Sequence, residues 1–137
     1  MTDIIALAES AKKAMENSHS PYSGFRVGAA LLCEDGTVYT GCNIENASYS
    51  ATCCAERTAF FKAVSDGKLN FTDLAVCGGK GGELEGTFCP PCGVCRQVMR
   101  EFCRDNFKIH LVSAAGIKTL TLAELLPLSF GPENLNG

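Results

Sequence analysis

Nine of the 137 residues are cysteine, at positions 33, 42, 53, 54, 77, 89, 92, 95 and 103. The number is odd, and the first residues carry Asp3 and Glu9 inside an apolar pattern, which reads as a helix and not as a signal peptide. The expectation is a reducing, cytoplasmic setting in which each thiol is a small buried hydrophobe or a metal ligand. Only Cys92 and Cys95 form a Cys-x-x-Cys pair, and a closed four-cysteine zinc site would need a second one. Taken alone the pair serves a dithiol redox centre as well as a metal.

Two short patterns stand where helices begin: Cys54-Ala55-Glu56 and Pro91-Cys92-Gly93-Val94-Cys95. Proline opens a helix well, and residues three apart share one helical face, so Cys92 and Cys95 fall together within a first turn. The free N–H groups and positive dipole end of such a turn favour thiolate. If the two helix starts lie side by side, the sulfurs of Cys54, Cys92 and Cys95 converge on one point. Three protein ligands and a vacant fourth position make the layout of a catalytic zinc centre. Cys53 adjoins Cys54, and both cannot readily address one ion.

Glu56 lies two positions beyond a candidate ligand, where a carboxylate can accept a proton from an activated water and deliver it to a substrate nitrogen. An arbitrary glutamate there would simply complement the helix dipole. The neighbouring cysteines favour the proton-shuttle role. Arg57 either donates hydrogen bonds to the sulfurs, offsetting the excess negative charge of three thiolates, or is a solvated helix residue.

These groups need elements to hold them. Residues 3 to 16 repeat Ile4, Leu7, Ala8, Ala11 and Met15 at helical spacing. A turn-rich loop covers 17 to 24, Val27 to Leu32 reads as a buried strand, Glu34-Asp35-Gly36 as a hairpin turn, and Thr37 to Ile44 as its second strand. Residues 45 to 53 are irregular, and Ala55 to Val64 return to helical spacing. Phe71 to Cys77 is a strand, and a glycine-rich loop runs from 78 to 91. Cys92 to Cys103 is a helix with Val94, Cys95, Val98, Met99 and Phe102 inward. Lys108 to Ser113 is a strand, Thr121 to Leu126 a short helix or turn, and Ser129 to Gly137 a loop. A hairpin followed by βαβ units implies an α/β fold, a mixed sheet with helices on its faces. The length fits one domain spanning 1–137.

Composition narrows the partners. Twelve Lys and Arg against fifteen Asp and Glu give a net charge of −3, and the longest basic run is Lys12-Lys13, so a nucleic acid polymer is disfavoured. The longest apolar stretch, Val27 to Cys33, falls far short of the ~20 residues that span a bilayer. The loop at 78 to 91 lacks the glycine-lysine pattern of a phosphate cradle.

Cys-Ala-Glu, a gap of 38 positions from Cys54 to Cys92, and Pro-Cys-x-x-Cys together form the zinc nucleobase deaminase signature. The chain resembles the small, homotetrameric, three-cysteine cytidine deaminases over about Ile4 to Leu135. The resemblance extends to Ser20-Pro21-Tyr22-Ser23 with Phe25, Gly41-Cys42-Asn43-Ile44-Glu45-Asn46-Ala47, Cys95-Arg96-Gln97 and Phe130-Gly131-Pro132. It implies a three-layer fold with a sheet of about five strands, one Zn²⁺ per subunit on Cys54, Cys92 and Cys95, and Glu56 as proton shuttle. It further implies that Asn43 and Glu45 hold ribose hydroxyls, that Phe25 lines the pyrimidine face and that the Ala55 backbone meets the base edge. Phe130 would enter a neighbouring subunit's site, and Tyr22 and Tyr49 would shape subunit contacts. The implied reaction is hydrolytic deamination of cytidine, and of deoxycytidine, in pyrimidine salvage. Rival readings are a related aminopyrimidine nucleoside as substrate, a polynucleotide editor, a non-catalytic zinc module and a dithiol redox protein. Pro90 and the 78 to 88 loop depart from the family pattern.

Overall fold

Asp3 caps the first helix by accepting a hydrogen bond from the Ala6 N–H at 3.0 Å, and Lys12 and Lys13 complement its C-terminal turn. This helix, α1 (Ile4–Ala14), buries Leu7, Ala8 and Ala11. The computed structural model describes residues 2–136. After α1 come β1 (Phe25–Cys33), β2 (Val38–Cys42), α2 (Ala55–Ser65), β3 (Phe71–Lys80), α3 (Gly93–Phe102), β4 (Lys108–Ser113), β5 (Gly116–Thr121), α4 (Leu122–Leu125) and α5 (Pro132–Asn136).

The five strands form one mixed sheet in the order β2-β1-β3-β4-β5. The pairs β1–β2, β1–β3 and β4–β5 are antiparallel. β3 and β4 are parallel, and α3 lies in the crossover that a parallel pair requires. Alternate residues point to opposite faces. Ala30, Ala75, Cys77 and Val112 meet α1 on one side, while Ala29, Leu31, Leu74, Val76, Ile109 and Leu111 meet α2 and α3 on the other. Burial on both faces explains the near-continuous apolar runs of β1 and β3. Phe60 of α2 anchors the second layer, edge-on to Phe71 at 5.1 Å and stacked with Phe102 at 6.4 Å.

The three-layer mixed sheet agrees with the sequence expectation, and four details correct it. β3 continues through Gly78 and Gly79 to Lys80, since these residues pair with Val27, Arg26 and Phe25. β5 lay in the unassigned remainder. Residues 132–136 of the expected C-terminal loop are helical, while Gly137 lies outside the described residues. Val94 points outward and is 57% exposed.

Candidate metal centre and its surroundings

Cys54 is the N-cap of α2 and Cys92 the N-cap of α3, both in extended backbone, with no helix N–H bonded to either side chain. Cys95 is the third residue of α3. The layer packing places both helix starts together. Cys54 Sγ lies 3.7 Å from Cys92 Sγ, and Cys92 Sγ lies 3.5 Å from Cys95 Sγ. All three sulfurs fall within 4.8 Å of one another. All nine cysteines are free thiols, and these separations far exceed the ~2.05 Å of a disulfide. Tetrahedral Zn–S bonds of about 2.3 Å put neighbouring sulfurs about 3.8 Å apart. The sulfur triangle therefore fits zinc in spacing and in chemistry, soft thiolates suiting that ion. Among the described residues no fourth His, Cys, Asp or Glu joins this group.

Arg57 is half-buried and turned toward the sulfurs. Its Nη2 donates to Cys54 Sγ at 3.3 Å, and its buried Nε has no hydrogen-bond partner. Cys95 Sγ, which also influences this guanidinium, offers an acceptor close by. Hydrogen bonding with Cys95, then with Arg57 and Cys92, holds the Cys54 thiol down to about 5. The same contact with Cys54, followed by burial, pushes Cys95 strongly up. Thiolate is thus favoured at Cys54, which accepts from the guanidinium, and thiol at Cys95. A divalent cation would release the remaining protons.

Glu56 is the second residue of α2 and 4% exposed. Burial, reinforced by the charge on Cys54, pushes its carboxyl up to about 7. Cys53 stands apart from the cluster and accepts from Thr58 Oγ1 at 3.7 Å, which resolves the ambiguity between the adjacent cysteines. Ala55 is fully buried.

Two backbone bridges hold the segment after β2, one to the residue before Cys54 and one to the loop that precedes β1. Ile44 pairs with Cys53 through reciprocal N–H···O bonds of 2.9 Å, and Glu45 N donates to His19 O at 2.7 Å. The Asn43 side chain brackets β1: its Nδ2 donates to Phe25 O at 2.8 Å, and its Oδ1 accepts from Val27 N at 2.9 Å and from the Ser18 hydroxyl. Glu45 accepts from Tyr22 N at 3.0 Å, Ser23 N at 3.1 Å and the Ser23 hydroxyl. The Ser23 hydroxyl and these backbone N–H groups hold its carboxyl below the ordinary range.

Phe25 is half-buried. Its Cε1, Cys89 Sγ and Val27 Cγ2 converge within 2.9, 3.2 and 3.2 Å of where a Cβ on Gly78 would sit. Burial and the nearby charges of Glu56 and Cys54 push the Cys89 thiol up to about 11. Cys89 is thus a half-buried, protonated thiol beside Phe25 that sequence reasoning did not single out, because an isolated cysteine carries no spacing signal. Phe130 is held by Gln97, whose Nε2 donates to the Phe130 carbonyl at 2.9 Å, and the residue is 58% exposed. Arg96, quoted in the sequence only as part of Cys95-Arg96-Gln97, has a bracing role that no local signal announces. Its Nε donates to Pro91 O at 2.8 Å and its Nη1 to Leu125 O at 2.6 Å, bracing the residue before Cys92.

A mixed sheet carrying three cysteines at two helix starts, with a buried glutamate beside them, defines a zinc-binding enzyme of the hydrolytic type. The family model described as the cytidine and deoxycytidylate deaminase zinc-binding region matches residues 1–111, and the chain belongs to this family. It is 52% identical to a cytidine deaminase of Sporosarcina psychrophila over 98% of this chain and 96% of that one. Against a cytidine deaminase of Halalkalibacterium halodurans the identity is 47%, over 95% and 96% of the two chains. The fold is similar to the crystal structure of cytidine deaminase from Burkholderia pseudomallei, with a TM-score of 0.85 and 42% identity over 95% of this chain and all of that one.

Proposed function

We propose that this protein deaminates cytidine, and deoxycytidine, by hydrolysis, converting the nucleoside and water to uridine or deoxyuridine and ammonia. The observation that carries this is the buried Glu56 carboxyl, raised to about 7, two residues past a cysteine of the three-sulfur cluster. Zn²⁺ on Cys54, Cys92 and Cys95 would supply an activated water. Glu56 takes a proton from that water and gives it to N3 of the cytosine ring, which makes C4 electron-poor. After the water oxygen adds to C4, Glu56 carries the proton of the new hydroxyl to the exocyclic nitrogen, the C4–N bond breaks and ammonia leaves. A carboxyl poised near neutrality can do both, since accepting and donating cost it similar amounts. Arg57 stabilises the Cys54 sulfur as a thiolate.

The remaining site residues surround the nucleoside. Asn43 has one N–H beyond its bond to Phe25 O, and Glu45 keeps acceptor capacity beyond its three bonds, so the pair suits ribose hydroxyls. Phe25 lines the pyrimidine face, and the Ala55 backbone meets the base edge. The whole of 1–137 acts as one catalytic domain. It works as a homotetramer in which Phe130 completes a neighbour's site. Large apolar side chains left in water support this assembly: Tyr49 is 80% exposed, Leu135 78% and Tyr22 58%. No helix among the described residues is long and apolar enough to cross a membrane. The free thiols fit a reducing cytoplasm, and the reaction would serve pyrimidine salvage.

The test is direct. Purified protein is incubated with cytidine, the ultraviolet change to uridine is followed, and bound zinc is measured before and after chelation. Activity that disappears with the metal and returns with it is expected. Full turnover by Glu56→Gln would remove Glu56 from the mechanism.

A further inference from the structure

The C-terminal segment is strapped to α3 by side chains from one flank of that helix. Arg100 Nε donates to Ser129 Oγ at 2.8 Å, and Arg100 Nη2 pairs with the Glu133 carboxylate. Gly131 lies flat on the same guanidinium: a Cβ there would fall 2.4 Å from Arg100 Cζ. Gln97 holds the carbonyl of Phe130 itself, and Gly131 N donates to Asn134 Oδ1 at 2.8 Å. The backbone is thus fixed on both sides of Phe130, by Ser129 before it and Gly131 after it. Phe130 nevertheless stays 58% exposed, and Leu128 nearby is fully exposed with a left-handed φ of 51°.

A large apolar side chain gains nothing from being held in water. Here its carbonyl and both neighbours are fixed by charged and amide groups of α3, the helix whose first turn carries Cys92 and Cys95. We infer that Arg100 is a positioning residue. Through its clamp on Ser129, Gly131 and Glu133 it fixes the backbone from which the Phe130 ring projects, and so sets where that ring meets substrate. This rests on the reading that Phe130 completes a site in a neighbouring subunit. Fixing the backbone beforehand removes an ordering cost that substrate binding would otherwise bear. The effect therefore falls on KM and leaves kcat nearly alone.

The zinc-loaded protein is assayed with cytidine as Phe130→Ala, Arg100→Ala, Glu133→Gln and the double variant Arg100→Ala/Phe130→Ala, with sedimentation of each. Phe130→Ala is expected to raise KM about tenfold with kcat within about twofold, and Arg100→Ala to move KM the same way by a smaller factor. The double variant is expected to be no worse than Phe130→Ala alone, because Arg100 acts only through that ring. If Arg100→Ala does not fold, Glu133→Gln and Ser129→Ala, which each release one contact, carry the same comparison. A Phe130→Ala protein with parental KM overturns the reading of Phe130, and this inference with it. A raised KM in Phe130→Ala with parental values in every clamp variant overturns the inference alone. So does an Arg100→Ala effect that adds in full to Phe130→Ala, or one accompanied by dissociation into monomers.

Discussion

Gly41 and Ala55 meet through bare backbone: a Cβ on Gly41 would lie 2.4 Å from the Ala55 carbonyl oxygen and 2.6 Å from Ala59 N. The first turn of α2, which carries Glu56 and follows Cys54, therefore rests directly on β2. Any side chain at position 41 must lift that turn. Gly41→Ala is expected to lower stability by about 1–3 kcal/mol, as overpacking does, and to lose zinc because Cys54 moves away from Cys92. Metal analysis and a thermal melt check this. Parental zinc content with an unchanged melt would show that the helix start is not seated by this contact.

The buried Glu56 carboxyl makes stability depend on pH. Its value in the folded protein is about 7, against 4.5 for a free glutamate. The folded state therefore holds a proton that the unfolded chain releases first. The stabilisation is full below about pH 4.5 and is lost as pH rises through 7. Glu56→Gln removes the titration and keeps the shape. In metal-stripped protein the variant should gain on the parent as pH rises from 5 to 8, by about 3 kcal/mol at most. Denaturant melts at both pH values measure the difference, and a gap independent of pH would show that the carboxyl is not buried as described.

Arg57 tests how the sulfurs are tuned. Its Nη2 is 3.3 Å from Cys54 Sγ. Arg57→Gln removes the charge that stabilises thiolate, and zinc affinity is expected to fall about 10–100-fold, the usual cost of losing an outer partner of a ligand. Competition against a chromophoric chelator measures it. An unchanged affinity would return Arg57 to the role of an ordinary helix residue.

What the sequence makes legible follows from how local each signal is. Cys54, Glu56, Cys92 and Cys95 stand at helix starts within short patterns, and the sulfurs meet because two helices pack on one sheet face, which the βαβ order already implies. β5 has no such signal. It is an edge strand whose first four residues are exposed, so its pairing with β4 leaves no alternation in the sequence. Val94 follows the helical rule but sits beside Cys95 in the first turn. With about 3.6 residues per turn, the direction that buries Cys95 turns its neighbour outward. The brackets made by Asn43 on Phe25 and Val27, and by Arg100 on Ser129 and Glu133, join residues far apart in sequence. Nothing local announces them.

The same holds for a buried pair on the sheet face opposite the cluster. His110 is fully buried, with Nε2 2.7 Å from Asp73 Oδ2 and Nδ1 2.7 Å from Thr119 Oγ1, while Thr2 Oγ1 donates to Asp73 Oδ1 at 3.3 Å. Asp73 alternates with Ala75 and Cys77, so it lies on the α1 side. Asp73→Ala strands an imidazole nitrogen away from water and is expected to cost about 3 kcal/mol. Asp73→Asn keeps an acceptor oxygen and should cost markedly less. Because the pair is separated from the metal cluster by the sheet, the folded fraction of either variant should keep its zinc and its kcat. Equal melts for the two variants would mean that hydrogen bonding to His110 does not hold this layer together. A loss of zinc in the folded Asn variant would mean that the two faces are coupled.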